Sequence, residues 1–156
     1  MTAVSKTQLY NDLLRQAHAL LQIERDPVAN MANLAALLYH GLPQVNWAGF
    51  YVLKEGVLVL GPFQGKPACV RIPLGKGVCG TAAQERKIRC VPDVHAFAGH
   101  IACDSASQSE VVLPVFNNKT LWGVLDIDAP VKNRFDQEDC ENLAEMVRLF
   151  EQNSAL

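Results

Sequence analysis

The spacing of apolar residues changes once along this chain, at Gly41 to Pro43, and that change sets the fold class. Before it, Leu9, Leu13, Ala17, Leu20 and Leu21 recur at helical spacing. A second helix is signalled by Asp26 as N-cap, Pro27 in the first turn, and Val28, Met31, Ala35 and Leu38. Beyond Pro43 the period is that of strands: Val45 to Leu53 and Val57 to Phe63, joined by a tight hairpin at Lys54-Glu55-Gly56, then a short strand at Val70 to Ile72 that takes in Cys69. Gly77 to Arg86 reads as a short helix and Ile88 to Val91 as a strand. Two more strands, Glu110 to Phe116 and Leu121 to Ala129, surround Asn117-Asn118-Lys119, and a last helix starts at Asp136 with Phe135 as a hydrophobic staple. Helices at both ends of consecutive, locally connected strands predict one α+β domain over 1–156, with a mainly antiparallel sheet.

With 156 residues, 49% of them hydrophobic, the chain can bury a substantial core without a second domain. Its net charge of −2 is spread along the sequence, so no basic face offers itself to nucleic acid or to an anionic membrane. The N-terminus leads into an amphipathic pattern, not a secretory h-region, and no apolar run reaches membrane-spanning length. The expectation is a cytoplasmic protein. Its five cysteines should then be mostly free thiols, with any disulfide transient.

The last pair of strands yields a site by register. Val111, Leu113 and Val115 form an apolar face with Leu121, Leu125 and Ile127 if paired residue numbers sum to an even value. A three-residue loop at Asn117 to Lys119 supplies that register and sets Glu110 opposite Asp126. Glu110, Asp126 and Asp128 then share the other face with Trp122. Like charges so placed repel. Either they are solvated strand charges or they face a cation: a substrate ammonium, a metal ion such as Ca²⁺ or Mg²⁺, or a neighbouring Lys or Arg. No metal-binding spacing favours the metal, and none is assigned. On the first strand, Trp47 and Tyr51 share a face across Gly49, which leaves a bare slot between two rings suited to a small apolar group. Taken alone, the two rings read as ordinary packing.

Pro92 to Gln108 is a long irregular segment, and loops of that length in a compact domain are usually functional. It carries Cys103 in a polar, turn-rich setting. Cys69 alone reads as a small buried hydrophobe. Cys79 opens a helix whose N-terminus would lower a thiol pKa, so first principles favour it as the nucleophile. Cys90 and Cys140 read as packing residues, Cys140 as the staple partner of Phe135, and neither is given chemistry. His95 and His100 have no partner placed by the sequence and read as incidental.

The run Asn46-Trp47-Ala48-Gly49-Phe50-Tyr51, the segments Leu60 to Cys69 and Gly77 to Ala82, Val91 to His95, Gly99 to Glu110 and Gly123 to Asp128 together resemble the free methionine-(R)-sulfoxide reductases over residues 46 to 140. The resemblance implies a GAF fold with the N- and C-terminal helices on one side of the sheet. It implies that Cys103 attacks the sulfoxide sulfur, releasing methionine and leaving a sulfenic acid. Cys69 then condenses with it to a disulfide, Cys79 being an alternative or second resolving thiol. Thioredoxin, supplied by NADPH through its reductase, restores the dithiol, and no bound cofactor is needed. The resemblance further implies that Glu110, Asp126 and Asp128 hold the substrate ammonium, that Trp47 and Tyr51 line the methyl end, and that backbone N–H groups before Cys103 receive the carboxylate. Glu110 or Asp128, its pKa raised by its neighbours, would protonate the sulfoxide oxygen.

Two other functional classes fit parts of this pattern. A GAF module that binds a small molecule without turning it over would use the same pocket, and a redox sensor would use the same disulfide with an unknown partner. The absence of an output domain in the chain speaks against the binding module. GAF domains often pair through terminal helices, and both termini here read as helical, which leaves a homodimer open.

Overall fold

A computed structural model describes residues 4–101 and 104–156. Helix α1 spans Lys6–Leu21 and α2 spans Pro27–Gly41. Strands β1 (Trp47–Lys54), β2 (Val57–Gly65) and β3 (Arg71–Pro73) precede α3 (Gly77–Glu85) and β4 (Arg89–Val91). A 3₁₀ turn at Val94–Ala96 leads to β5 (Ser109–Asn117), β6 (Thr120–Ala129) and α4 (Gln137–Asn153). The six strands form one sheet in the order β3-β2-β1-β6-β5-β4, every pair antiparallel. None of the described helices is long and apolar enough to cross a membrane.

Local chemistry starts the helices where the sequence signals them. The Asp26 side chain accepts from Ala29 N at 3.0 Å, with Pro27 in the first turn. Asp136 and Asp139 form a reciprocal capping box at the start of α4, and Phe135 and Cys140 are both buried beside it. Asp139 is fully buried and also collects partners from elsewhere: Tyr10 Oη donates to it at 2.6 Å, and Lys6 and Arg134 lie 2.8 and 3.3 Å away. This cluster ties α1 to the start of α4.

The two sheet faces are covered differently. Helices α1, α2 and α4 lie on one face, where Leu13, Met31, Leu38, Leu143 and Phe150 pack against Phe50, Leu113, Leu125 and Ile127. The Phe50 and Phe150 rings sit 5.1 Å apart, a separation typical of favourable aromatic pairs. The opposite face carries α3 and the long loops over Trp47, Tyr51, Val112 and Val124.

Two hairpins close by two-residue turns. Lys54 pairs with Val57, so Glu55 (φ 51°) and Gly56 (φ 79°) make the turn. Asn117 pairs with Thr120, and Asn118 takes φ 57°. The expected three-residue loop here is therefore a two-residue turn with an odd register. A bulge restores the even one: Phe116 pairs with Leu121, but Val115 pairs with Gly123, leaving Trp122 as the extra residue. The bulge reverses the facing of two residues. Leu121, expected on the helix-covered face, packs on the other, and Trp122, expected beside the carboxylates, packs toward the helices with its ring 5.7 Å from Phe150.

Candidate active site

The pocket is built on the face away from the three long helices. Beyond the bulge the register is even, but it sets Glu110 opposite Asp128 and Val112 opposite Asp126, one pair along from the expected Glu110 and Asp126. The three carboxylates still share a face, because any even-sum register keeps their parity. Glu110 and Asp126 are each only 6% exposed, and Asp128 is half-buried. Among the described residues no lysine or arginine pairs with any of them, and one oxygen of Asp126 and one of Asp128 are buried without a hydrogen-bond partner.

Burial is the main reason that all three carboxyls hold their protons tightly. It raises the Glu110 pKa to about 8, with the neighbouring Asp128 charge adding to the effect. Asp126 and Asp128 are pushed well above the usual carboxylate range, first by burial and then by the charges of Glu110 and Asp126 respectively. His100, which sequence reasoning set aside as incidental, stands with Nε2 3.7 Å from Glu110 Oε1. Burial lowers its pKa, so it is neutral near pH 7 and does not supply the missing cation. No local pattern marks His100; only the return of the long loop over the sheet brings it here.

Cys79 faces the same acid group. Its thiol is 3.9 Å from Glu110 Oε2, and the donor atoms of Cys79, Glu110 and Asp126 lie within 4.8 Å of one another. Such a compact set could face an ammonium or a metal ion. The helix-terminus argument for a reactive Cys79 fails: complete burial, followed by the charges of Asp126 and Glu110, drives its pKa well above the ordinary value. A fully buried thiol packed against acidic side chains is a poor nucleophile.

Trp47 and Tyr51 share the pocket face as expected, with ring centroids 6.0 Å apart. The slot at Gly49 is not bare. The Trp47 indole leans over it, and a Cβ at position 49 would lie 2.8 Å from Trp47 Cη2 and collide with Phe63. Phe63 in turn stacks on Trp47 at 5.2 Å. Glycine here leaves the space that the indole occupies, and both rings line the pocket. The polar ends of the two rings pin the loop between β2 and β3: Trp47 Nε1 donates to Lys66 O at 3.1 Å and Tyr51 Oη to Cys69 O at 2.9 Å. Cys69 therefore lies in that loop, not in a strand, and it is disulfide-bonded, whereas Cys79, Cys90 and Cys140 are free thiols. Asn46 fastens the other loop, donating to Asp104 Oδ2 and Ser107 Oγ at 3.2 Å each. Cys103 lies outside the described residues.

An antiparallel sheet with three helices on one face and a small-molecule pocket under loops on the other defines a GAF domain. The chain belongs to that family, whose description "GAF domain" covers residues 7–153, and within it to the branch that contains free methionine-R-sulfoxide reductase of Escherichia coli (strain K12). It is 52% identical to that protein over 148 residues, 95% of this chain and 90% of the other. It is also similar to Protein YtsP of Bacillus subtilis (strain 168), at 58% identity over 94% of this chain and 91% of that protein. A solved structure of Staphylococcus aureus fRMsr in complex with substrate matches with a TM-score of 0.91 and 50% identity, covering 97% of this chain and 99% of that one.

Proposed function

We propose that this protein reduces free L-methionine-(R)-sulfoxide to methionine. The observation that carries the reading is the group of three carboxylates, Glu110 and Asp126 buried and Asp128 half-buried, with unpaired oxygens on the two aspartates and no lysine or arginine paired with them among the described residues. A free amino acid brings an ammonium to pair them. A peptide-bound residue brings an uncharged amide and would leave them unpaired in a desolvated pocket, which is a strong basis for rejection. Trp47 and Tyr51 line the methyl end of the sulfoxide side chain.

In the proposed sequence the Cys103 sulfur attacks the sulfoxide sulfur. The oxygen receives a proton from Glu110, whose pKa burial and the Asp128 charge raise to about 8, or from Asp128, whose pKa burial raises well above the usual carboxylate range. Methionine leaves and Cys103 becomes a sulfenic acid. The Cys69 thiol then attacks that sulfur, forming the disulfide and releasing water. The disulfide-bonded state of Cys69 and the raised pKa of Cys79 support Cys69 as the resolving thiol. A thioredoxin dithiol returns the pair to its reduced form by exchange, NADPH supplying electrons through thioredoxin reductase.

The test is methionine release from the free R and S sulfoxides and from an N-blocked R sulfoxide, with thioredoxin, its reductase and NADPH. Turnover of only the free R form, lost in Cys103→Ser, is expected. Turnover of the blocked substrate would discard the ammonium cage, and binding without turnover would leave a ligand-binding GAF module.

A further inference from the structure

Three donor atoms in the pocket are arranged for more than an ammonium. Cys79 comes from α3, Glu110 from β5 and Asp126 from β6, and all three side chains are buried. The Cys79 sulfur lies 3.9 Å from Glu110 Oε2, and one donor atom from each residue falls within 4.8 Å of the other two. A tetrahedral zinc ion with bonds of about 2.3 Å to sulfur and about 2.1 Å to oxygen sets those two atoms about 3.6 Å apart. The thiol and the carboxylate therefore need to close by only about 0.3 Å. An independent observation also points to a ligand: Asp126 is only 6% exposed, lines the pocket, and keeps Oδ1 without a hydrogen bond.

We infer that the pocket is a binding site for one thiophilic divalent ion of the zinc class, held by Cys79 Sγ and by carboxylate oxygens of Glu110 and Asp126, and that this ion and a substrate ammonium exclude each other. The sulfur selects the metal. Magnesium and calcium prefer sets of about six or more oxygens, whereas zinc accepts thiolate and carboxylate together at low coordination number. Three protein donors leave the fourth tetrahedral position to water. On coordination the Cys79 proton passes to solvent, because a metal-bound thiol is deprotonated outright. The ion brings positive charge to carboxylates with which, among the described residues, no lysine or arginine pairs. No spacing in the sequence announces this set, since its members meet only when α3 folds over β5 and β6. The exclusion follows because both cations need the same oxygens; that clause rests on the reductase reading, and the metal site itself does not.

The disulfide-bonded chain, stripped of metal by a chelator, is titrated with Zn²⁺ against a chromophoric chelator and, separately, with Co²⁺. One tightly held equivalent is expected, retained against excess Mg²⁺ or Ca²⁺, with a thiolate-to-metal charge-transfer band in the cobalt form. Cys79→Ser should remove the band and weaken zinc by more than about 100-fold, beyond the loss typical of a residue that only orients a ligand. Asp126→Asn should weaken zinc while the band remains. Cys90, exposed contrary to the packing role its sequence context suggests, is the control thiol, and Cys90→Ser should bind as the wild type does. Free methionine should displace cobalt where alanine at the same concentration does not, since alanine chelates through the same groups but lacks the side chain that fills the pocket. No charge-transfer band in the wild type, equal zinc affinity in Cys79→Ser, or a site lost in Cys90→Ser would overturn the metal site. Methionine and alanine acting alike would overturn the exclusion, and the ammonium cage with it.

Discussion

Replacing Glu110 with Gln should stabilise the folded chain at alkaline pH while it damages the proposed activity. In the folded chain burial and the Asp128 charge raise the Glu110 pKa from 4.5 to about 8. Between those two values the unfolded chain is ionised at this position and the folded chain is not, so the folded state binds the extra proton. Its contribution to stability is complete below about pH 4.5 and is lost as pH rises through 8. The interval is worth about 5 kcal/mol as a ceiling, and about 2–4 kcal/mol once Asp126 and Asp128 share the repulsion. Gln keeps the shape and removes the titration. Urea denaturation of the reduced proteins at pH 5 and pH 8 reads the effect directly: the wild type should lose about 2–4 kcal/mol more than Glu110→Gln across that range. At pH 8 the variant should be the more stable of the two. Its kcat/KM for the free sulfoxide should fall about 10- to 100-fold, the value of one charge-assisted hydrogen bond to the ammonium. Saturating free methionine should restore more stability to the wild type than to the variant at pH 8. Equal pH slopes in the two proteins would refute the reasoning, because they would mean that Glu110 is solvated or already paired.

Other substitutions separate the pocket from the scaffold. Gly49→Ala should force the Trp47 indole off the sheet, costing about 1–3 kcal/mol in thermal unfolding and raising KM several-fold, with a shift in tryptophan fluorescence as the local reporter. Tyr51→Phe removes the hydrogen bond to the Cys69 carbonyl, so stability should fall by about 1 kcal/mol and disulfide formation, followed by stopped-flow thiol counting, should slow. Asp139→Asn leaves Lys6 and the buried Arg134 without their shared carboxylate and should cost about 3 kcal/mol, lowering Tm while activity below the transition is retained.

Much of this molecule was legible one residue at a time. Asp26 and Pro27 start α2, the Asp136 box starts α4, and Glu55-Gly56 turns the first hairpin, because caps and turns satisfy backbone groups with side chains a few positions away. The shared face of Glu110, Asp126 and Asp128 was equally legible, since parity along a strand survives any even register. Leu121 and Trp122 show where such reasoning stops: a two-residue turn and a bulge compensate each other, so the far ends of the hairpin agree with the pattern while those two residues exchange faces. Cys79 shows it again. Its position at a helix start favours the thiolate, but the carboxylates that suppress it arrive from β5 and β6, far along the chain. His100 beside Glu110 and the indole folded over Gly49 belong to the same class. Burial and charge are sums over every element packed around a group, and those neighbours are chosen by the fold, whereas caps, turns and strand parity are settled between residues already adjacent in the chain.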